Sequence, residues 1–336
     1  MMDPLLTVIL PVYNAELYLK ECLESLKAQS FRDFEVLIFD DASTDRSHGI
    51  LMAFDDPRFH VERSRQNQGY AVYLNQGIEK ARGRYIARMD ADDICYLDRF
   101  QKQIDFLEKN PHAGICGTAY EVFGDADTKV FQKPLTNEAI RWMCLFDNPF
   151  QHPTVMIRRS LLVDHSLRYN EDLMPTEDYE LWSRLLQVTE GANLPEPLLR
   201  YRFHSGQESS AKRARQLQIH QKVSEQNIKN FFLKTESSPE KRTVDAEWGI
   251  RFWMGTLSLK DDHANGLRGY WDFMQAYFSK YPNEMLEREE KKRVGKFLLY
   301  GPLSGLTRTV LWMKRPALIG LSFKRVGLRV KQVFKV

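Results

Sequence analysis

The sequence predicts an α/β protein: a doubly wound, mainly parallel sheet followed by a helical C-terminal extension. Short apolar runs alternate with helix-periodic segments over roughly the first 110 residues. The runs end in polar or acidic turns, and from Ala211 onward the pattern becomes polar and helical. At 336 residues, with 43% apolar and 28% charged side chains, the chain has material for one large or two medium cores.

Taken in order, Leu5–Leu10 reads as a buried strand, and Asn14 then caps a helix whose Leu19, Cys22, Leu23 and Leu26 share a face. Phe34–Phe39 is a second strand, ending in the polar turn Asp40–Asp45, with a helix from Ser47 to Leu51. Phe59–Glu62 is a third strand, Tyr70–Ala81 a helix stopped by Arg82-Gly83, and Tyr85–Met89 a fourth strand. This βαβαβαβ order implies parallel strands with crossover helices. A helix over Leu97–Asn110, strands over Gly114–Val122 and Thr128–Phe131, and a helix over Asn137–Phe146 extend the layer. A helix beginning at Glu177 places Leu181, Trp182, Leu185 and Leu186 inward and its acids in the first turn, where the helix dipole favours them. Thr235–Pro239 is the expected linker, dividing the chain into 1–235 and 236–336.

In such sheets ligands bind beyond the carboxyl ends of the strands. Here those ends carry Tyr13-Asn14, Asp40-Asp41 and the run Arg88-Met89-Asp90-Ala91-Asp92-Asp93. Three carboxylates within four residues make a poor core and a good site for a hard cation, Mn²⁺ or Mg²⁺, which takes oxygen ligands and phosphate oxygens together. No Gly-x-Gly-x-x-Gly follows the first strand and no Walker Gly-Lys-Ser/Thr is present. Neither a dinucleotide nor a P-loop site is therefore indicated.

In chain order, Pro11-Val12-Tyr13-Asn14, Asp40-Asp41-Ala42-Ser43-Thr44-Asp45, Asn67-Gln68-Gly69, Asp90-Ala91-Asp92-Asp93, Glu177-Asp178-Tyr179-Glu180-Leu181-Trp182 and Tyr201-Arg202-Phe203-His204 resemble family 2 glycosyltransferases. The resemblance covers roughly residues 5 to 210. It implies a GT-A fold and transfer of a sugar, with inversion, from a nucleotide-diphosphate donor to a glycan or lipid-linked acceptor of a surface polysaccharide or lipopolysaccharide.

Position by position, the resemblance puts Pro11 and Tyr13 beside the nucleobase. Asp41 would hydrogen-bond the base, favouring a UDP-sugar, while Asp40 and Ser43 support that turn and Asn67 and Gly69 belong to the same donor site. The family's usual glycine is Ala42 here, which restricts the turn backbone. Asp92 would ligate the metal, Asp90 would contact the ribose or reach the ion through water, and Asp93 is a weaker candidate. Arg88 would pair with one of these acids or with a phosphate. Asp178 is nominated as the general base, His204 as a contact to metal or diphosphate, and His152 as an acceptor-side group. The same metal crevice would also serve a nucleotide-sugar hydrolase or nucleotidyltransferase, and a degenerate domain would serve as a membrane-recruited scaffold.

Charge is distributed unevenly. Residues 291–336 carry 12 Lys or Arg and no Asp or Glu, leaving −9 on the rest of a chain whose net charge is +3. With Trp312, Phe323 and Phe334 interspersed, this tail is expected to bind an anionic membrane surface without crossing it, the alternative being a solvated basic helix or an oligomer contact. No nucleic-acid recognition motif accompanies the charge, so nucleic acid is not an expected partner. Cys22, Cys95, Cys116 and Cys144 have no Cys-x-x-Cys spacing and no signal-peptide pattern precedes them. The expectation is a reduced, cytoplasmic protein, peripheral at the inner face of the membrane.

Overall fold

The computed structural model describes residues 3–204, 213–233, 270, 274–275, 277–279 and 282–300. The first half is β1 (Leu6–Val12), α1 (Leu19–Lys27), β2 (Phe34–Asp40), α2 (Ser47–Met52), β3 (Phe59–Arg63), α3 (Tyr70–Lys80) and β4 (Tyr85–Arg88). Next come β5 (Ile94–Cys95), α4 (Arg99–Lys109), β6 (Ala113–Gly124), β7 (Lys129–Phe131), α5 (Asn137–Cys144), β8 (Met156–Arg158), α6 (Arg159–Asp164), α7 (Glu177–Leu185) and β9 (Glu190–Phe203). Two further helices are α8 (Arg213–Leu233) and α9 (Glu284–Tyr300).

One sheet runs β3-β2-β1-β4-β8-β6-β9-β5, with β7 paired to β6. Its first four strands are all parallel, as the βαβαβαβ chain order implies, so their carboxyl ends open on one edge. Every residue of β2 is buried, as a parallel strand covered by helices on both faces requires. The pleat sends Leu6, Val8 and Leu10 into one apolar layer with Leu19, Cys22 and Leu23 of α1. Ile9 faces the opposite layer with Leu74 of α3 and Trp182 of α7. Gly77 allows α3 this close approach, since a Cβ there would lie 2.6 Å from Ile9 Cγ2.

The second half departs from a plain doubly wound pattern. β8 is antiparallel to both β4 and β6, whereas β9 is parallel to β6 and antiparallel to β5. The 14-residue β9 contains Pro195 and Pro197, which argue against a strand; register shifts against Thr118–Tyr120 of β6 accommodate them. Asn14 is a second correction. It does not cap α1, which begins five residues later; with φ +47° it accepts instead from the Thr44 N–H at 2.9 Å. All four cysteines are buried and free, and burial pushes the Cys95 thiol up, away from nucleophilic reactivity.

The chain divides into two compact units, Met1–Val223 and Ser224–Val336. In the second, Met274, Tyr277 and Phe278 are buried, the rings of Phe231 and Tyr277 lie 5.3 Å apart, and the Tyr270 hydroxyl donates to Glu290 at 2.8 Å. The expected linker at 235–239 and the tail beyond 300, including Trp312, Phe323 and Phe334, lie outside the described residues. Among the described residues no helix is long and apolar enough to cross a membrane.

Candidate active site

The parallel strands deliver three polar turns to one edge of the sheet. At the end of β1, Pro11 is half-buried opposite Phe39 and Tyr13 is 52% exposed. At the end of β2, Asp40 is fully buried: its Oδ1 accepts from the Ser43 N–H at 2.9 Å, and its Oδ2 lies 3.0 Å from His48 Nδ1 and 3.3 Å from Arg63 Nε. The Ser43 hydroxyl accepts from the Asn14 N–H at 3.1 Å and so ties this turn to the first. Ala42, between Asp41 and Ser43, is held at φ +58°, in the left-handed region that disfavours a Cβ.

Asp41 is only 2% exposed and already accepts three hydrogen bonds: Gln68 N–H at 2.8 Å, Gly69 N–H at 2.9 Å and the Tyr73 hydroxyl at 2.8 Å. A carboxylate so engaged positions a turn, and Oδ2, which takes one donor, keeps acceptor capacity for a further N–H. Gly69 sits at φ +89°, open to glycine, and begins α3 there. Asn67 is exposed beside it.

At the end of β4, Arg88 is 8% exposed and grips Asp90 through both oxygens, at 2.5 and 2.6 Å. Asp92 Oδ2 lies 3.0 Å from His204 Nε2. Asp93 is fully buried; one oxygen accepts from the Arg202 N–H at 2.8 Å and the other has no hydrogen-bond partner. Carboxylate oxygens of Asp90, Asp92 and Asp93 all lie within 4.8 Å of one another. Hard oxygen donors at this spacing, one of them orphaned, with an imidazole against Asp92, fit Mn²⁺ or Mg²⁺. Burial pushes Asp93 well up, and the charges of Asp90 and Asp92 add to it.

Asp178 comes from the first turn of α7. Its Oδ1 accepts from the Tyr179 N–H and its Oδ2 from Asn148 Nδ2, each at 2.7 Å. Burial pushes Asp90 up, Arg88 opposes this, and the charges of Asp92 and Asp178 reinforce it. Acids 88 residues apart in the chain thus share one electrostatic pocket, with the Arg88 guanidinium as its internal cation. His152 is buried beside them: Nε2 is 3.0 Å from the Tyr169 hydroxyl, and burial, reinforced by Arg88, holds the imidazole well below its usual range and therefore neutral.

Several residues of the pocket carry no expected role. Arg202 spans the acidic run, donating from Nε to the Asp92 carbonyl at 2.8 Å, pairing with Glu21 and lying 4.5 Å over the Tyr18 ring. Its place in Tyr201-Arg202-Phe203-His204 was a usable signal. Asn148 and Tyr169 sit in stretches without motif or period, Tyr70 opens the predicted helix after Asn67-Gln68-Gly69, and the packing of distant segments brings all three to the acids.

The family described as "Glycosyl transferase family 2" matches residues 7–165. An uncharacterized glycosyltransferase of Haemophilus influenzae is 32% identical over 243 residues, 69% of this chain and 75% of the relative. The amylovoran biosynthesis glycosyltransferase AmsE of Erwinia amylovora is 32% identical over 206 residues, covering 59% and 76%. Among solved structures, residues 1–349 of S. aureus TarS in complex with UDP-GlcNAc align with a TM-score of 0.60 at 20% identity, covering 82% of each chain. The mannosyltransferase PcManGT of Pyrobaculum calidifontis, in complex with GDP-Man and Mn²⁺, aligns at 0.53 and 17% identity, covering 98% of this chain and 89% of that one. The fold is that of GT-A enzymes, and with relatives above 30% identity spanning three quarters of their length, the chain belongs to the family 2 glycosyltransferases.

Proposed function

We propose that this glycosyltransferase moves a sugar, with inversion, from a nucleotide-diphosphate sugar to a glycan or lipid-linked acceptor, dependent on Mn²⁺ or Mg²⁺. The observation that carries the reading is the convergence of Asp90 and Asp92 from β4 with Asp178 from α7 around Arg88. A donor seated at this edge of the sheet places its base by Pro11 and the exposed Tyr13 ring. Asp41, Asp40 and Ser43 act on it by holding the turns that carry Asn67 and Gly69. Asp90 and Asp92, with His204 beside Asp92, hold the ion and the diphosphate end. When bound, the ion offsets the charge that develops on the departing nucleoside diphosphate.

Asp178 removes the acceptor hydroxyl proton as that oxygen attacks the anomeric carbon, and Asn148 and the Tyr179 N–H orient the carboxylate for it. UDP is the favoured nucleotide, in keeping with the UDP-GlcNAc complex of TarS, and AmsE supports a role in surface-polysaccharide synthesis. The basic tail at 291–336 would hold the enzyme at the cytoplasmic face of a membrane, near a lipid-linked acceptor.

Thermal unfolding against UDP, GDP, TDP, CMP and their sugar conjugates, with and without Mn²⁺ or Mg²⁺, tests the donor site. A ligand at 100 times its Kd stabilises by about 2.7 kcal/mol, a shift of several degrees. A metal-dependent shift with one nucleotide identifies the donor class; no shift with any of them in folded protein sinks the proposal.

A further inference from the structure

Glu177 is adjacent to Asp178 and has no part in the chemistry above. It is 1% exposed, and its Oε2 is buried with no hydrogen-bond partner. Its Oε1 and Asp178 Oδ2 both lie 3.8 Å from His152 Nδ1, so the two carboxyl groups face the same neutral imidazole. The donors are shared unequally. Asp178 has an N–H on each oxygen, from Tyr179 and Asn148, whereas Glu177 interacts with its own backbone N–H and with Tyr70 and leaves Oε2 bare. Hydrogen bonds to the ionised form stabilise it, and two neighbouring carboxylates in an apolar setting cannot both be charged without a large penalty.

We propose that Glu177 is a positioning residue for Asp178: buried as the neutral acid, it leaves the pair a single negative charge and confines that charge to the carboxylate that receives the acceptor proton. This rests on the base role of Asp178. The groups facing the pair are His152 and Arg88 from one side, Tyr70 and Tyr169 from another, and Asp90 and His220 at longer range. Arg88 is the permanent cation among them, and its guanidinium is committed to Asp90. The local balance therefore favours one negative charge on the pair. The titration behaviour agrees: burial, and then the Asp178 charge, push Glu177 up to about 8. At neutral pH the arrangement holds one proton, and that proton sits on Glu177, whose Oε2 has no hydrogen-bond partner.

The test is a pH titration of the full chain labelled with ¹³C at the glutamate side-chain carboxyls, read by NMR in wild type, Glu177→Gln and Asp178→Asn. The expected result is one carboxyl that remains protonated at pH 7 in wild type, is missing from Glu177→Gln, and titrates at lower pH in Asp178→Asn, where the neighbouring charge is gone. If wild type has no such carboxyl, or if its midpoint is the same in Asp178→Asn, the proposal is overturned; these two arms hold even if Glu177→Gln does not fold. Failure of the base role is separately legible: Asp178→Asn would then keep full transfer activity while the Glu177 signal remained.

Discussion

The acidic turns after β2 and β4 differ in what the protein does with their oxygens. At Asp40-Asp41 every oxygen has a donor or a basic side chain beside it: Asp41 alone binds two backbone N–H groups and a phenol, and Asp40 accepts a backbone N–H on Oδ1 while its Oδ2, without a hydrogen bond, lies within ion-pair distance of His48 and Arg63. At Asp90-Asp92-Asp93 the same residue type is undersupplied. One buried Asp93 oxygen has no partner, and the acids crowd within 4.8 Å. At these two turns the acid flanked by donors and basic groups braces the backbone, whereas the acids crowded against one another retain capacity for a cation. The motif alone does not reveal this difference, since both turns read as a strand followed by Asp-rich sequence.

The largest effect expected is on Asp178, which is coupled electrostatically to the crowded turn while each of its own oxygens accepts an N–H. Asp178→Asn should lower kcat by about 10²- to 10⁴-fold while metal-dependent nucleotide binding persists, measured by turnover and calorimetry side by side. Unimpaired transfer would remove it from the base role.

Exchanging the two turns sharpens the contrast in stability. Asp41→Ala strands three donors, two part-buried and one buried, and should destabilise the fold by on the order of 3 kcal/mol in urea denaturation. Asp92→Asn should change stability by no more than about 1 kcal/mol, because its His204 contact is partly exposed, yet should abolish stabilisation by Mn²⁺. Equal losses for the two variants would erase the distinction.

A pH series separates the crowded acids further. The unfolded-state value for Glu177 is near the ordinary 4.5, and the folded value is raised to about 8. The native state thus holds this proton more tightly than the unfolded chain. Its stabilising contribution is full below about pH 4.5 and is lost as pH rises to about 8. Glu177→Gln should remove that loss, so its stability relative to wild type rises across this window in metal-free buffer; a constant difference would contradict the shift.

The smallest effect belongs to the backbone of the filled turn. Ala42→Gly relieves a left-handed φ of +58° but adds unfolded-chain entropy, for a net gain of up to about 1 kcal/mol in thermal unfolding. A clear destabilisation would mean that the Ala42 methyl is packed to advantage.

The parallel half of the fold was legible because each of its strands is an apolar run closed by a turn and followed by a helix-periodic segment, all local signals. The second half was less so. β8 is three residues long, and β9 carries two prolines whose disruption is absorbed by bulges against β6, which no local rule anticipates. The site divides similarly. Pro11, Tyr13, the Asp40–Ser43 turn, Asn67, Gly69, Asp90, Asp92, Asp178 and His204 stand in recognisable motifs. Arg202 shares the His204 motif without an assigned role, and Asn148 and Tyr169 reach Asp178 and His152 through contacts formed from other segments.

By itself the sequence determined the strand and helix order of the parallel half, the family, and which residue types stand at its strand ends, because periodicity and motif spacing are properties of neighbours along the chain. Only the tertiary structure decided which carboxylates are satisfied and which are crowded. Hydrogen-bond supply and electrostatic coupling depend on distance in space, as between Asp41 and the 68–69 turn or Asp90 and Asp178, and not on separation in sequence.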